Sequence, residues 1–337
     1  MKAIVLKSPG IVAIEDIPRP TVSAEQVLLR VRMIGLCGSD LNSFRGKNPM
    51  VSFPRILGHE VAATIEQTVS SWPDLQPGMN VTLSPYTNCG GCASCLRGRP
   101  NACLQNQTFG VQRDGALTEY LAVPPEKIYP ASLSIKELCL VEPLTVGFHS
   151  VARGRVVAND TVAVFGCGGV GLGAVAAAGF RGAYTIAIDV DDEKLSIARK
   201  AGAAETINTL REPLHQRLQE LTRSNGPDVV VEAIGNPETF RAAVEEVAFT
   251  GRVVYIGYAK QPVTYETRWF VQKELDILGS RNALPEDFSA VIRMLEAKKF
   301  PVDDAVSTIV ELEGVPEILS RWDKNPAQFT KIMVEVG

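Results

Sequence analysis

Four cysteines, Cys89, Cys92, Cys95 and Cys103, stand in the spacing C-x2-C-x2-C-x7-C in a 337-residue chain that holds seven cysteines in all. Thiolates at such intervals on one short loop can converge on a tetrahedral zinc ion, and Gly90, Gly91 and Gly98 allow the tight turns that this requires. The competing reading is two disulfides or four unrelated buried thiols. The opening residues "MKAIVLKSPG" carry an apolar run of only residues 3–6, too short for a secretory leader or a membrane span, so the chain is expected to be cytoplasmic. Thiols in that compartment stay reduced, which favours metal over disulfides. Four sulfurs would close the coordination shell. This zinc is therefore expected to be structural, and the chemistry must come from elsewhere.

A second constellation supplies part of it. The run "TVAVFGCGGVGLGAVAAAG" opens with a β-prone segment at 161–165, passes through Gly166-Cys167-Gly168-Gly169-Val170-Gly171, and continues as an alanine-rich stretch suited to a helix. Strand, glycine-rich turn and helix in that order form a dinucleotide site. Gly166 allows the turn, Gly168 lets the backbone approach a pyrophosphate, and Gly171 permits close helix-to-strand packing. Gly169 and Val170 complete the expected cofactor-facing backbone. A second β-prone run, 184–188, leads to Asp189, about eighteen residues beyond Gly171, where a carboxylate binds the ribose diol. It would repel a 2′-phosphate, and Val190, Asp191 and Asp192 offer no arginine to accommodate one, so NAD is expected over NADP. Asp191 and Asp192 read more simply as the cap and first turn of the next helix.

A third zone holds "GLCGSD" (35–40), "GHE" (58–60) and "VEPLTVGFHS" (141–150). Each alone is weak, since a lone cysteine is commonly a small buried hydrophobe and a lone histidine a satisfied loop residue. In this order, with the cysteine loop and the nucleotide turn, they resemble the zinc-dependent medium-chain dehydrogenase/reductase family along essentially the whole chain. The likeness is to its polyol, sugar-acid and threonine dehydrogenase branch. The resemblance implies that Cys37, His59 and Glu60 hold a catalytic zinc, with Glu142 at the same metal directly or through water. Alcohol dehydrogenases proper carry cysteine at that last position, and whether Glu60 or Glu142 is the third ligand stays open. It also implies that Ser39 relays the substrate proton and that Asp40 hydrogen-bonds the imidazole of His59. Zinc would act as Lewis acid on an alcohol while hydride passes to NAD. Two zinc ions per chain follow, one catalytic and one structural.

These side chains need a scaffold. Residues 1–144, rich in short β-prone runs and turn signals, are expected to form a barrel-like, mostly β catalytic domain of the GroES-like kind, with the zinc loop 89–103 inserted. Residues 145–281 alternate strand and helix patterns ("DEKLSIARKAGA", "PDVVVEAIG", "ETFRAAVEEVAF", "GRVVYIGY") and predict a Rossmann doubly wound parallel sheet. Residues 282–337 are expected to return to the first domain. The fold class is α/β. The resemblance implies that the sheet of the second domain is extended across a two-fold axis, and the β-prone runs "VTYETRWF" and "LDILGS" lie where that edge would be, so a homodimer or homotetramer is expected.

Composition excludes other classes. With 45% hydrophobic residues, a net charge of −4 and no Lys/Arg cluster, neither nucleic acid nor an anionic membrane is an expected partner. Cys139, Cys167, His149 and His215 receive no catalytic role. The stretches "ELDILGSRNALPEDF" and "FPRILGHE" most resemble L-galactonate and L-gulonate 5-dehydrogenases, so the expected substrate is a secondary alcohol of a sugar acid or polyol, oxidised to a ketone. Arg281 matches an arginine of the polyol enzymes and would grip a substrate carboxylate or hydroxyls, or else pair with Glu142 or the cofactor phosphates. A threonine-type amino-alcohol dehydrogenase is the enzymatic rival. A non-catalytic binding protein on the same fold is the other, disfavoured by the intact ligand set.

Overall fold

The computed structural model describes residues 1–68 and 72–337. The chain divides into two compact units, one made of Met1–Glu142 with Val302–Gly337 and the other of Pro143–Pro301. Among the described residues no helix is long and apolar enough to cross a membrane.

In the first unit the strand Val27–Leu36 is the organiser. It pairs antiparallel with Glu60–Gln67 on one side and with the terminal strand Ile332–Glu335 on the other, in a seven-stranded sheet. Its burial is nearly continuous because both faces are covered, and Val27, Leu29, Val31 and Ile34 are fully inaccessible. Each such side chain contributes roughly 1.5–3 kcal/mol by leaving water. Register then places chemistry: Gly35 lies opposite Glu60, and Leu36 opposite Ile332. The ends of three strands distant in sequence therefore meet at one rim. A smaller sheet of Ile11–Asp16, Lys2–Ser8 and Arg55–Ile56 completes this mostly β unit.

The second unit is a six-stranded, wholly parallel sheet. Its spatial order is Glu205–Asn208, Tyr184–Asp189, Thr161–Phe165, Val229–Glu232, Arg252–Tyr255 and Asp276–Gly279. Chain order reverses between Thr161–Phe165 and Val229–Glu232, which makes that junction the topological switch point where doubly wound sheets bind ligands. The helix Gly169–Phe180 begins there. It packs so closely that Ala174 to Ala178 are essentially inaccessible, which only small side chains permit.

Two expectations differ from the structure. The return to the first unit begins at Val302 and not at 282, because the helix Pro285–Glu296 buries Phe288, Val291 and Met294 in the second unit and ties Asp287 to His149 at 2.8 Å. The first boundary falls between Glu142 and Pro143, inside the helix Ile135–Arg153. The run 263–270 is not a strand. Its end enters the short helix Arg268–Gln272, and Trp269 and Phe270, adjacent in sequence, both pack on the core. Successive strand side chains would point to opposite faces. Of the two runs, only the second forms a strand, Asp276–Gly279, at one edge of the sheet.

Candidate functional site

At the rim of the first unit, Cys37 ends the strand segment and serves as N-cap of the helix Gly38–Phe44. Glu60 begins its own strand directly after His59. The donor atoms of Cys37, His59 and Glu60 lie within 4.8 Å of one another. A thiolate, an imidazole and a carboxylate that close, on buried or half-buried residues, fit zinc. Gly35 is what makes room. A Cβ there would fall 1.9 Å from Glu60 Oε2.

Asp40 works differently from the expectation. Its carboxylate accepts from the backbone N–H of Cys37 at 2.9 Å and of Gly58 at 3.3 Å, so it ties together the two segments that carry the donors. It does not hydrogen-bond the imidazole, whose Nδ1 is buried without a partner. Its two oxygens instead each face a backbone donor flanking the site. Ser39 Oγ is likewise buried and unpartnered. Buried polar atoms left in this state mark a place where a ligand completes the pairing.

Two further residues belong to this rim, and sequence reasoning missed both. Lys331, just before the terminal strand, places Nζ 2.7 Å from each oxygen of Glu60 and 3.2 Å from the carbonyl of Leu36. Tyr86 donates its hydroxyl to Glu142. The only sequence signal was a single lysine in the apolar run "FTKIMVEV" and a tyrosine just before the cysteine loop. Each carboxylate thus has its own buried partner, a cation for Glu60 and a neutral phenol for Glu142. Burial raises the pKa of Glu142, and the nearby Glu60 charge adds to that. Burial opposes charge on His59, yet Cys37, Asp40 and Glu142 outweigh it and hold the ring protonated well above its ordinary range.

The four-cysteine loop is a separate cluster. Its sulfurs are 3.5 Å (Cys92–Cys95), 3.8 Å (Cys92–Cys103) and 3.6 Å (Cys89–Cys103) apart. These separations are far beyond a disulfide bond of about 2.05 Å and close to the roughly 3.8 Å edge of a tetrahedron built on Zn–S bonds of about 2.3 Å. Hydrogen bonds, first from the Ser94 hydroxyl, lower the pKa of the Cys92 thiol to about 5.

In the second unit the glycine-rich turn has the expected shape. Gly166 has φ of +93°, and a Cβ on Gly171 would sit 1.8 Å from the Gly166 carbonyl oxygen. Nothing lies within 4 Å of a Cβ built on Gly168, the N-cap of the helix, so its backbone is open to an approaching group. Gly169 and Val170 are the first two residues of that helix. Asp189 ends the second strand, and its carboxylate accepts from the amides of Cys167 at 2.7 Å and Val190 at 2.7 Å. Asp191 caps the next helix through the amides of Glu193 and Lys194. Arg281 is exposed, just beyond the edge strand Asp276–Gly279. His149 lies in the helix Ile135–Arg153 with Asp287 as its partner, and His215 pairs with the carboxylate of Glu246.

Comparison with known proteins agrees with this arrangement. Residues 23–133 match the alcohol dehydrogenase GroES-like domain and residues 169–297 the zinc-binding dehydrogenase domain. Sorbitol dehydrogenase of Bacillus subtilis (strain 168) is 32% identical over 345 residues, covering 99% of this chain and 97% of that protein. L-galactonate-5-dehydrogenase of Escherichia coli (strain K12) is 30% identical over 304 residues, covering 90% and 89%. The crystal structure of an Escherichia coli CFT073 alcohol dehydrogenase complexed with NADH superposes with a TM-score of 0.91 at 28% identity, covering 99% of each chain. The chain belongs to the zinc-type medium-chain alcohol dehydrogenase family, oxidoreductases that act on CH–OH groups.

Proposed function

We propose that this chain is a zinc-dependent, NAD-linked dehydrogenase that oxidises a secondary alcohol of a polyol or sugar acid to a ketone. The observation that carries the reading is the convergence of Cys37, His59 and Glu60 at one rim, beside the unpartnered Ser39 hydroxyl. Zinc, when bound there, supplies Lewis acidity toward a substrate hydroxyl. Cys37 and His59 hold the ion with Glu60 or Glu142, and Lys331 offsets carboxylate charge that burial would otherwise penalise. Asp40 fixes the backbone of both donor segments. Ser39 Oγ would accept a hydrogen bond from the substrate hydroxyl and relay its proton, taking that proton as it gives up its own toward solvent. The glycine-rich turn and Asp189 would hold NAD, which would supply the hydride acceptor.

The relatives named above act on sorbitol and L-galactonate, a neutral polyol and a sugar acid, which supports that substrate class. Arg281 is proposed as the residue that separates the two. If its guanidinium clamps a carboxylate, Arg281→Ala lowers kcat/KM for an aldonate roughly ten- to a hundredfold, about 1.5–3 kcal/mol, and a neutral polyol much less. Arg281→Lys recovers only part, lacking the planar fork. Equal losses on both substrates overturn the clamp. The direct test is NADH formation with a panel of aldonates, polyols and L-threonine, with and without a chelator. Turnover of L-threonine alone would move the substrate to amino alcohols, and turnover that survives complete zinc removal would end the zinc mechanism.

A further inference from the structure

Glu232 ends the strand Val229–Glu232 at the switch point, and its side chain is wholly inaccessible. A buried carboxylate on a sheet of valines is costly unless its oxygens are used. One of them is: Oε1 accepts from the amides of Ile234 at 3.0 Å and Gly235 at 2.8 Å, and the Thr239 hydroxyl lies 2.7 Å away. The residue's own carbonyl accepts from the amides of Ile256 and Gly257 at 2.9 and 3.1 Å. Glu232 thereby binds two loops, the one after its own strand and the one after the neighbouring strand Arg252–Tyr255.

The loops meet backbone to backbone. A Cβ on Gly257 would lie 2.4 Å from Gly235 N and 2.5 Å from Glu232 Oε2, and one on Gly235 would lie 2.7 Å from the Tyr258 carbonyl. The first loop in turn abuts the glycine-rich turn. Ala233 N donates to the Phe165 carbonyl at 2.9 Å, and a Cβ on Gly166 would meet the Ile234 side chain at 2.6 Å. Any shift of residues 233–235 is therefore passed to the turn that begins at Gly166. Oε2 is buried without a hydrogen-bond partner in the protein. The role falls on Oε1 and its converging donors.

We infer that Glu232 is a positioning residue for the dinucleotide: it sets the spacing of the loops that flank the glycine-rich turn, and so the affinity for the cofactor. This rests on the proposed binding of NAD(H) at that turn. The test is fluorescence titration of the zinc-loaded protein with NADH, alongside thermal melts and steady-state kinetics. Glu232→Ala raises the Kd for NADH about tenfold or more, and raises KM for NAD more than it lowers kcat. Glu232→Gln, which keeps one acceptor oxygen, restores much of the affinity. Thr239→Val, which removes one donor, weakens binding by a smaller factor and remains informative should the alanine variant fail to fold. Folded variants that melt earlier but bind NADH as the wild type does would reduce Glu232 to a stabilising residue and overturn the inference alone. A wild-type chain that fails to bind NADH would overturn the cofactor reading with it.

Discussion

Single residues set the protonation of the rim and are proposed to set cofactor choice. Asp189 is proposed to select NAD, and its bonds to the Cys167 and Val190 amides hold its carboxylate at the lip of the glycine-rich turn. Replacing it by serine together with Val190→Arg should raise the NADP-to-NAD ratio of kcat/KM by roughly tenfold or more, since repulsion of the 2′-phosphate is relieved and a cation added. Equal use of both cofactors by the wild type would remove the assignment. At the rim, the metal-free chain favours protonated groups. His59 is raised although its burial opposes this, because Cys37, Asp40 and Glu142 outweigh it, and Glu142 and Asp40 are raised chiefly by burial. The folded apo state then binds more protons than the unfolded chain. The contribution of Asp40 and Glu142 is complete below their ordinary values of 3.8 and 4.5 and that of His59 below 6.5, and each is lost as pH rises through the elevated folded value. Zinc displaces those protons and opposes the fall. Melting temperatures of zinc-loaded and chelated protein should diverge as pH rises above the ordinary carboxyl values of 3.8 and 4.5, and further above 6.5; parallel curves would contradict this.

The two candidate metal sites differ in how the elements build them. The cysteine loop draws four like donors from one contiguous stretch, whereas the rim draws three unlike donors from two strand ends and is proposed to leave a position for substrate. Metal analysis should return two zinc ions per chain, and a chelator should abolish turnover before it lowers the melting temperature. One zinc in active enzyme, or simultaneous loss of both properties, would count against the two-site assignment. The same contrast explains what the sequence could reveal. The strand Thr161–Phe165, the glycine-rich turn and the cap at Asp191 are local devices, readable from neighbours in the chain. Lys331 was not readable, because its partner Glu60 lies 271 residues away and only the pairing of three strands brings them together. Asp40 was placed at the right site but with the wrong partner, since backbone amides are present in every sequence and announce nothing. The run 263–270 misled because aromatic and β-branched residues suit a strand as well as a helix end that buries two neighbours.

Over the whole molecule, the parallel sheet ends on Asp276–Gly279, an exposed strand paired on one side only, with Ile277 42% accessible. Such an edge is a template for another chain, and pairing with its own copy across a two-fold axis would satisfy it. Light scattering should give a mass of a dimer or tetramer of the 36.4 kDa chain; a monomer at micromolar concentration would exclude this. The division of the chain carries a different consequence. The first unit is interrupted by the whole of the second, and the lysine that balances Glu60 arrives only with the last strand. On the ribosome, the cysteine loop emerges early and complete, able to take up its ion as soon as residues 89–103 are clear. The rim cannot be charge-balanced until synthesis has run through the intervening unit to Lys331. The contiguous cysteine loop and the discontinuous rim would thus be completed at different stages of synthesis, the loop first and the charge-balanced rim only once Lys331 has been made.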